Sequence, residues 1–265
     1  MLHANHCANC GRAVDAPAQH YCPGCGQPTP AHRIDWHFLG HEIEHSVLHM
    51  DRGILYTLKS LMLRPGQLIR DYLEGRRANH VKPFLLIMIT AAAVVFLGKL
   101  LGDGDLVGAP LQAAIDDARA GGGAAGADAM RVARVFEGVR DWMNLHIAGL
   151  TLILLPFEAL AFKLAFRRYR DLNYPEWLVI TTFLTAQTMV LWVLALPLQR
   201  WYPGISSLVM LPAMAYGVVS LVQFFKGQSR WKIALRAALG YALFMVANSL
   251  LTVALVIAVL LISRT

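Results

Sequence analysis

Three stretches of this chain, Trp177–Leu198, Ser206–Phe225 and Gly240–Ile262, contain no Asp, Glu, Lys or Arg. A helix rises 1.5 Å per residue and the hydrocarbon core of a bilayer is about 30 Å thick, so about 20 consecutive apolar residues suffice to cross it. Two further stretches are nearly as clean. Phe84–Leu101 carries only Lys99, close to its end, where a long stem reaches the headgroups. Ile147–Phe166 carries Glu158 and Lys163. Helices of a soluble core are shorter and show a polar face. Only 15% of the residues are charged and 56% are hydrophobic, where a soluble domain has about 25% charged. The expected fold is mainly α: a polytopic helical membrane protein with about five spans. A disordered chain, a collagen-like fibre and an ordinary soluble enzyme are excluded.

Basic residues near the span ends set the orientation. Arg64, Arg70, Arg76, Arg77 and Lys82 precede the first span, Arg167, Arg168 and Arg170 follow the second, and Lys226, Arg230, Lys232 and Arg236 precede the fifth. All three sets fall on one side, which places the N-terminus in the cytosol and the C-terminus outside, as in a bacterial inner membrane. The net charge of +7 belongs largely to these sets. No apolar signal-peptide region precedes residue 31, so no secretory leader is expected. Trp142, Trp177, Trp201, Tyr202 and Trp231 fall at the expected span edges, where interfacial aromatics belong.

All four cysteines lie before residue 26, as Cys7-Ala-Asn-Cys10-Gly11 and Cys22-Pro-Gly-Cys25-Gly26. Each pair is a tight turn that presents two thiolates, and the following glycine permits the backbone angles such a turn needs. Four sulfurs in a tetrahedron suit zinc, and a reducing cytosol favours coordination over disulfides. Cys7, Cys10, Cys22 and Cys25 are therefore the expected metal ligands. His3, His6 and His20 flank them, but four cysteines already close a structural site. Only Arg12 and Arg33 supply Lys or Arg charge before residue 50, which argues against nucleic acid and for a protein partner. The expected organisation is a zinc ribbon over 1–31, amphipathic interfacial helices over 32–82 that rest on membrane lipid, and a five-span membrane domain over 83–265 with an outer segment at 102–145.

After Asp35, a candidate N-cap, Trp36, Leu39, Ile43, Val47 and Met50 mark one helical face. His37, His41, His45 and His49 recur on the other side, and His41-Glu42-Ile43-Glu44-His45 matches the zinc-protease pattern His-Glu-x-x-His. Such a protease would hold zinc on His41 and His45, with Glu42 as base. Against it stand the polar placement of the histidines and the second charge at Glu44, so a histidine stripe at headgroup level is the preferred reading. Further on, Pro65 opens a short helix with Leu68, Ile69, Tyr72 and Leu73 inward, which ends at Gly75.

These segments together resemble a known family. A cysteine ribbon ends in Tyr21-Cys22-Pro23-Gly24-Cys25-Gly26, followed by His32-Arg33-Ile34. Then come Asp51-Arg52-Gly53-Ile54-Leu55-Tyr56-Thr57-Leu58, Arg64-Pro65-Gly66, Ile69-Arg70-Asp71-Tyr72-Leu73-Glu74-Gly75-Arg76-Arg77, and Pro83 at the start of a span. This order is similar to an uncharacterised bacterial domain-of-unknown-function family of zinc-ribbon, multi-pass inner-membrane proteins. Pro156, Lys163 and Tyr174-Pro175-Glu176 also resemble a family segment, with Trp177 where the family has histidine. The resemblance implies architecture and no particular activity.

Within the spans, Glu158 lies two residues after Pro156, and intramembrane carboxylates are functional candidates by default. Thr181, Thr185, Gln187 and Thr188 in one span, and Asn248, Ser249 and Thr252 in another, read as interhelical hydrogen-bond glue or as a polar path. The expected function is a non-enzymatic membrane adaptor, scaffold or regulator. The alternatives are a small-solute or proton transporter using Glu158 and a metalloprotease using His41, Glu42 and His45.

Overall fold

The computed structural model describes residues 5–15, 19–40, 53–101, 115–116, 120, 126–169, 171–201 and 205–262. The helices are α1 (Ile54–Leu63), α2 (Pro65–Leu73), α3 (Pro83–Leu101), α4 (Gly126–Leu145), α5 (Ile147–Ala165), α6 (Tyr174–Ala195), α7 (Ile205–Phe224) and α8 (Arg230–Ile262). A 3-10 segment, Leu196–Arg200, follows α6. Among the described residues there is no strand, only two isolated bridges in the cysteine-bearing head. The fold is mainly α, as expected.

Four helical stretches are long and apolar enough to cross a membrane: Pro83–Leu101, Ile147–Ala165, Tyr174–Leu198 and Arg230–Val259. They fit a polytopic helical protein. The remaining expected span is also helical, as α7, but its apolar stretch Leu208–Phe224 falls short of those four. Exposure supports a lipid environment. Leu211, Leu250 and Ile257 are 71, 65 and 51% exposed on helices that carry little charge, a pattern soluble surfaces avoid.

α6 is the central rod. Val179, Ile180, Thr181, Thr182 and Phe183 are buried at consecutive positions, as a helix packed on all sides requires. It lies against α3, α5 and α7. α5 and α8 approach closely because Gly240 meets the Phe162 ring, which an added Cβ would reach at 2.7 Å. α8 begins at Arg230, a full ten residues before the expected Gly240. Its 33 residues make a rod of about 50 Å, longer than the hydrocarbon core, so its basic first turns project beyond it.

The segment before the first span docks on this bundle. α2 turns Leu68, Ile69 and Tyr72 inward, and Tyr72 meets Phe183 of α6 edge-on at 5.4 Å. Gly66 sits directly on the backbone of α7, where a Cβ would come within 2.5 Å of the Phe224 nitrogen. α1 is tied in by Thr57, whose hydroxyl accepts from the Val81 amide at 2.9 Å, while Leu55, Tyr56 and Leu63 stay exposed. Asp35 caps a helical turn at 36–40, accepting from the Phe38 amide at 2.8 Å, as expected. α4 runs into α5 with a single break at His146.

One expectation needs correction. Trp177 is not an interfacial aromatic: it is 1% exposed and stands among Phe162, Phe166 and Phe225, with ring centroids 5.1–6.4 Å away. The start of α6 lies beneath the segment around Ile34, so this span edge is covered by protein. Trp142, Trp201 and Trp231 are exposed as expected, and Tyr202 lies outside the described residues.

Candidate metal centre

The two cysteine pairs fold as copies of one turn, offset by 15 residues. Cys7 donates its amide to the Arg12 carbonyl at 2.8 Å and accepts from Gly11 at 2.9 Å; Cys22 does the same with Gln27 and Gly26 at the same distances. Gly11 and Gly26 take φ of 73° and 71°, a left-handed conformation that glycine reaches without steric cost. The bridges His6–Ala13 and Tyr21–Pro28 close the two loops. This duplication holds all four sulfurs within 4.8 Å of one another, with Cys7–Cys25 and Cys10–Cys22 each at 3.5 Å. Sulfurs bound tetrahedrally at about 2.3 Å lie about 3.8 Å apart, so the cluster fits a metal of that kind. None of the four is in a disulfide.

The sulfurs differ in their surroundings. Burial pushes the Cys7 thiol up to about 11. The Gly24 amide, 3.4 Å from the Cys22 sulfur, leads the interactions that bring that thiol down to about 6. Among the described residues, Val14 alone joins the cysteines in the small core of the head. A core of this size cannot hold a fold by itself, and a metal supplies the missing free energy when bound.

The head is fastened to the helices at two points that the sequence reading missed. Gln27, 3% exposed, inserts its amide into the turn after α2. Its oxygen accepts from the Arg77 and Ala78 amides, both at 3.0 Å, and its nitrogen donates to the Gly75 carbonyl. Gly75 lies at φ 92°, so its carbonyl is presented by a backbone shape that favours glycine. Arg77 in turn donates to the His32 carbonyl at 3.1 Å and lies over the Phe38 ring at 4.4 Å.

At the second point Arg33 reaches the N-terminus of α6. Its guanidinium makes a two-pronged contact with Glu176, at 2.7 and 2.8 Å, and also donates to the Asp171 carbonyl. Glu176 is already half of a capping box with Asn173, and Asn173 donates to the Ile34 carbonyl at 2.8 Å. The spacing Asn173-Tyr-Pro-Glu176 is a capping-box pattern that the sequence alone displays; the arginine that completes it is not predictable from spacing.

Residues 51–95 match a family of proteins of unknown function, DUF3667. The match begins at Asp51 and runs through α1, α2 and most of α3, within the segment where the sequence resembles such a family. No curated protein and no solved structure matches the chain.

The remaining candidates are placed as follows. Glu158 is buried in α5 and accepts from the Thr185 hydroxyl of α6 at 2.7 Å; Lys163 instead lies over the Tyr174 ring at 5.7 Å. Gln187 accepts from Ser220 of α7 at 3.0 Å. Thr181 and Thr188 bond to carbonyls of their own helix, and so does Thr252. His37 is exposed and Leu39 buried, but Trp36, expected on the same face as Leu39, is 62% exposed beside the Tyr174 ring. His41, Glu42, His45 and His49 lie outside the described residues.

Proposed function

We propose that this chain is a multi-pass membrane protein, with α7 as its fifth span, whose head is a structural zinc ribbon on the cytosolic side. In this reading it acts as a non-enzymatic adaptor, scaffold or regulator in a bacterial inner membrane, with residues 1–31 as the docking module. The observation that carries the reading is the anchored cysteine cluster. Four convergent sulfurs leave a tetrahedral ion no open position, which is the design of a structural site. Gln27 and Arg33 hold that cluster rigidly over the helices, leaving Tyr21 exposed beside it as a contact for a protein partner. The three basic sets at span ends support the cytosolic placement.

The test is metal content and partner capture on the full-length protein. One zinc per chain is expected, lost in Cys22→Ser, and captured protein should fall with it. A chain free of zinc when purified under reducing conditions overturns the ribbon. A chelator-sensitive proteolysis abolished by Glu42→Ala overturns the non-enzymatic reading. The transporter alternative rests on Glu158, a buried carboxylate between α5 and α6. Potential-driven solute or proton flux lost in Glu158→Gln establishes that alternative, whereas flux-free membranes with an intact fold favour the hydrogen-bond glue.

A further inference from the structure

Where α1 passes into α2, the chain faces the turn between α7 and α8 across a cleft of about 910 Å³. That volume is within the range of about 300–1,000 Å³ typical of small-ligand sites. Arg64 and Arg70 stand on one side, Lys226 and Arg230 on the other, and among the described residues no Asp or Glu lines it. Four cations around one cleft repel each other, and the charge that relieves them is an anion. Arg70 also donates to the Gln223 carbonyl at 2.5 Å, while Arg64, Lys226 and Arg230 are exposed to the cleft mouth.

The spacing of these cations is built in. Gly66 brings α2 onto the backbone at Gln223 and Phe224, so the two basic pairs cannot drift apart. Gly227, at φ 79°, turns the chain back from α7 to α8 and sets Lys226 and Arg230 on the same rim. Gln67, Gln223 and Gln228 add neutral polar groups, and about half of the lining is apolar, with Val219 and Val222 on α7 and Trp231, 72% exposed, at the start of α8. A free phosphate would leave this apolar half wet. An occupant with a phosphate at one end and hydrocarbon at the other covers both.

We infer that this cleft is a binding site for an anionic glycerophospholipid of the cytosolic leaflet. The phosphodiester sits among Arg64, Lys226 and Arg230, the glycerol backbone lies against Trp231, and the acyl chains run along the outer face of α7. The site rests on the membrane placement proposed above and deepens it from a general attraction for lipid to one defined seat.

The experiment uses the full-length protein in nanodiscs of nine parts phosphatidylcholine to one part phosphatidylglycerol, with retained lipid counted by native mass spectrometry. Phosphatidylglycerol should be retained over phosphatidylcholine. A cation near an anionic headgroup changes affinity about fivefold, so Lys226→Gln with Arg230→Gln should weaken retention about 25-fold. Lys226→Arg with Arg230→Lys should keep it. Arg167→Gln with Arg168→Gln, an equal charge loss on the same side of the membrane, should leave it unchanged. Equal loss in that control, or no preference for phosphatidylglycerol, overturns the site. Displacement of phosphatidylglycerol by millimolar inorganic phosphate overturns it in favour of a soluble anion. Entry into nanodiscs without retained lipid sinks the cleft alone, and failure to enter them sinks the membrane placement with it.

Discussion

Arg33 and Glu176, separated by 143 residues of sequence, meet with two short nitrogen–oxygen contacts of 2.7 and 2.8 Å at the first turn of α6. The Glu176 side chain is 7% exposed and that of Arg33 54%, so the carboxylate is the desolvated partner. Glu176 thus does two tasks at once, capping its own helix and holding the segment that leads from the head. Contact with Glu176 also raises the Arg33 guanidinium above its usual range.

Removing the carboxylate should therefore cost more than removing the arginine. Glu176→Ala deprives the Asn173 amide of its acceptor and leaves the guanidinium only the Asp171 carbonyl, a loss of about 2–3 kcal/mol. Arg33→Ala removes the exposed partner and leaves the buried carboxylate the Asn173 amide, a cost of about 1–2 kcal/mol. Arg33→Lys should recover little, because a point charge cannot reproduce the two-pronged contact. Thermal unfolding of the detergent-solubilised protein, arranged as a double-mutant cycle, measures the coupling. Additive single effects would refute it.

Gln27 is the second fastening, and its loss should separate head from bundle without emptying the cysteine cluster. Gln27→Ala leaves the buried Gly75 carbonyl and the half-buried Arg77 and Ala78 amides without this partner, at a cost of about 1–3 kcal/mol. Metal content should remain that of the parent, while limited proteolysis near residues 31–34 and amide exchange at Arg77 and Ala78 should accelerate. If exchange there is unchanged, the head is held elsewhere.

The sequence makes the apolar rods legible because length and absence of charge are the whole requirement for crossing lipid. The cysteine cluster is legible because a metal demands a particular atom type at short spacing. The anchorage is not legible, for a physical reason. Gln27 and Arg77 bond mainly to backbone groups, which every residue type carries, and Arg33 finds its carboxylate far along the chain. Trp177 misleads in the same way: an aromatic at a span edge suits an interface and a covered core equally, and only the protein above it decides. Asn173 and Glu176 were within reach, since a capping box is a local pattern. The histidine helix beyond Gly40 lies outside the described residues.

Gly66 yields a sharper expectation than its neighbours. A Cβ there would lie 2.4 Å from the Gln223 Cβ and 2.5 Å from the Phe224 nitrogen, and backbone cannot step aside as a side-chain tip can. Gly66→Ala should force α2 off α7 and cost at least about 2 kcal/mol. Gly149→Ala, on α5 with nothing within 4 Å, should be neutral or slightly stabilising. Thermal unfolding of the two variants under one set of conditions compares them directly. Equal stability would place α2 away from α7.

His80 sits in the turn between α2 and α3, with its ring 5.4 Å from Tyr56 and its Nδ1 buried without a hydrogen-bond partner among the described residues. Burial holds the imidazole below its ordinary value of 6.5, and the negative charge of Asp71 opposes that shift only in part. The sign follows from linkage. Above 6.5 neither the folded nor the unfolded chain protonates this histidine, and it contributes no pH dependence. As pH falls through 6.5 the unfolded chain takes up the proton first, so stability declines until the lower folded value is passed and then levels. His80→Phe keeps the ring contact with Tyr56 and removes the titration. Its stability should vary less between pH 7 and 5 than that of the parent, read as the difference in unfolding midpoint at the two pH values. A parent curve that rises on acidification over this window, or a variant with an identical slope, would show that the imidazole is not held in its neutral form by the fold.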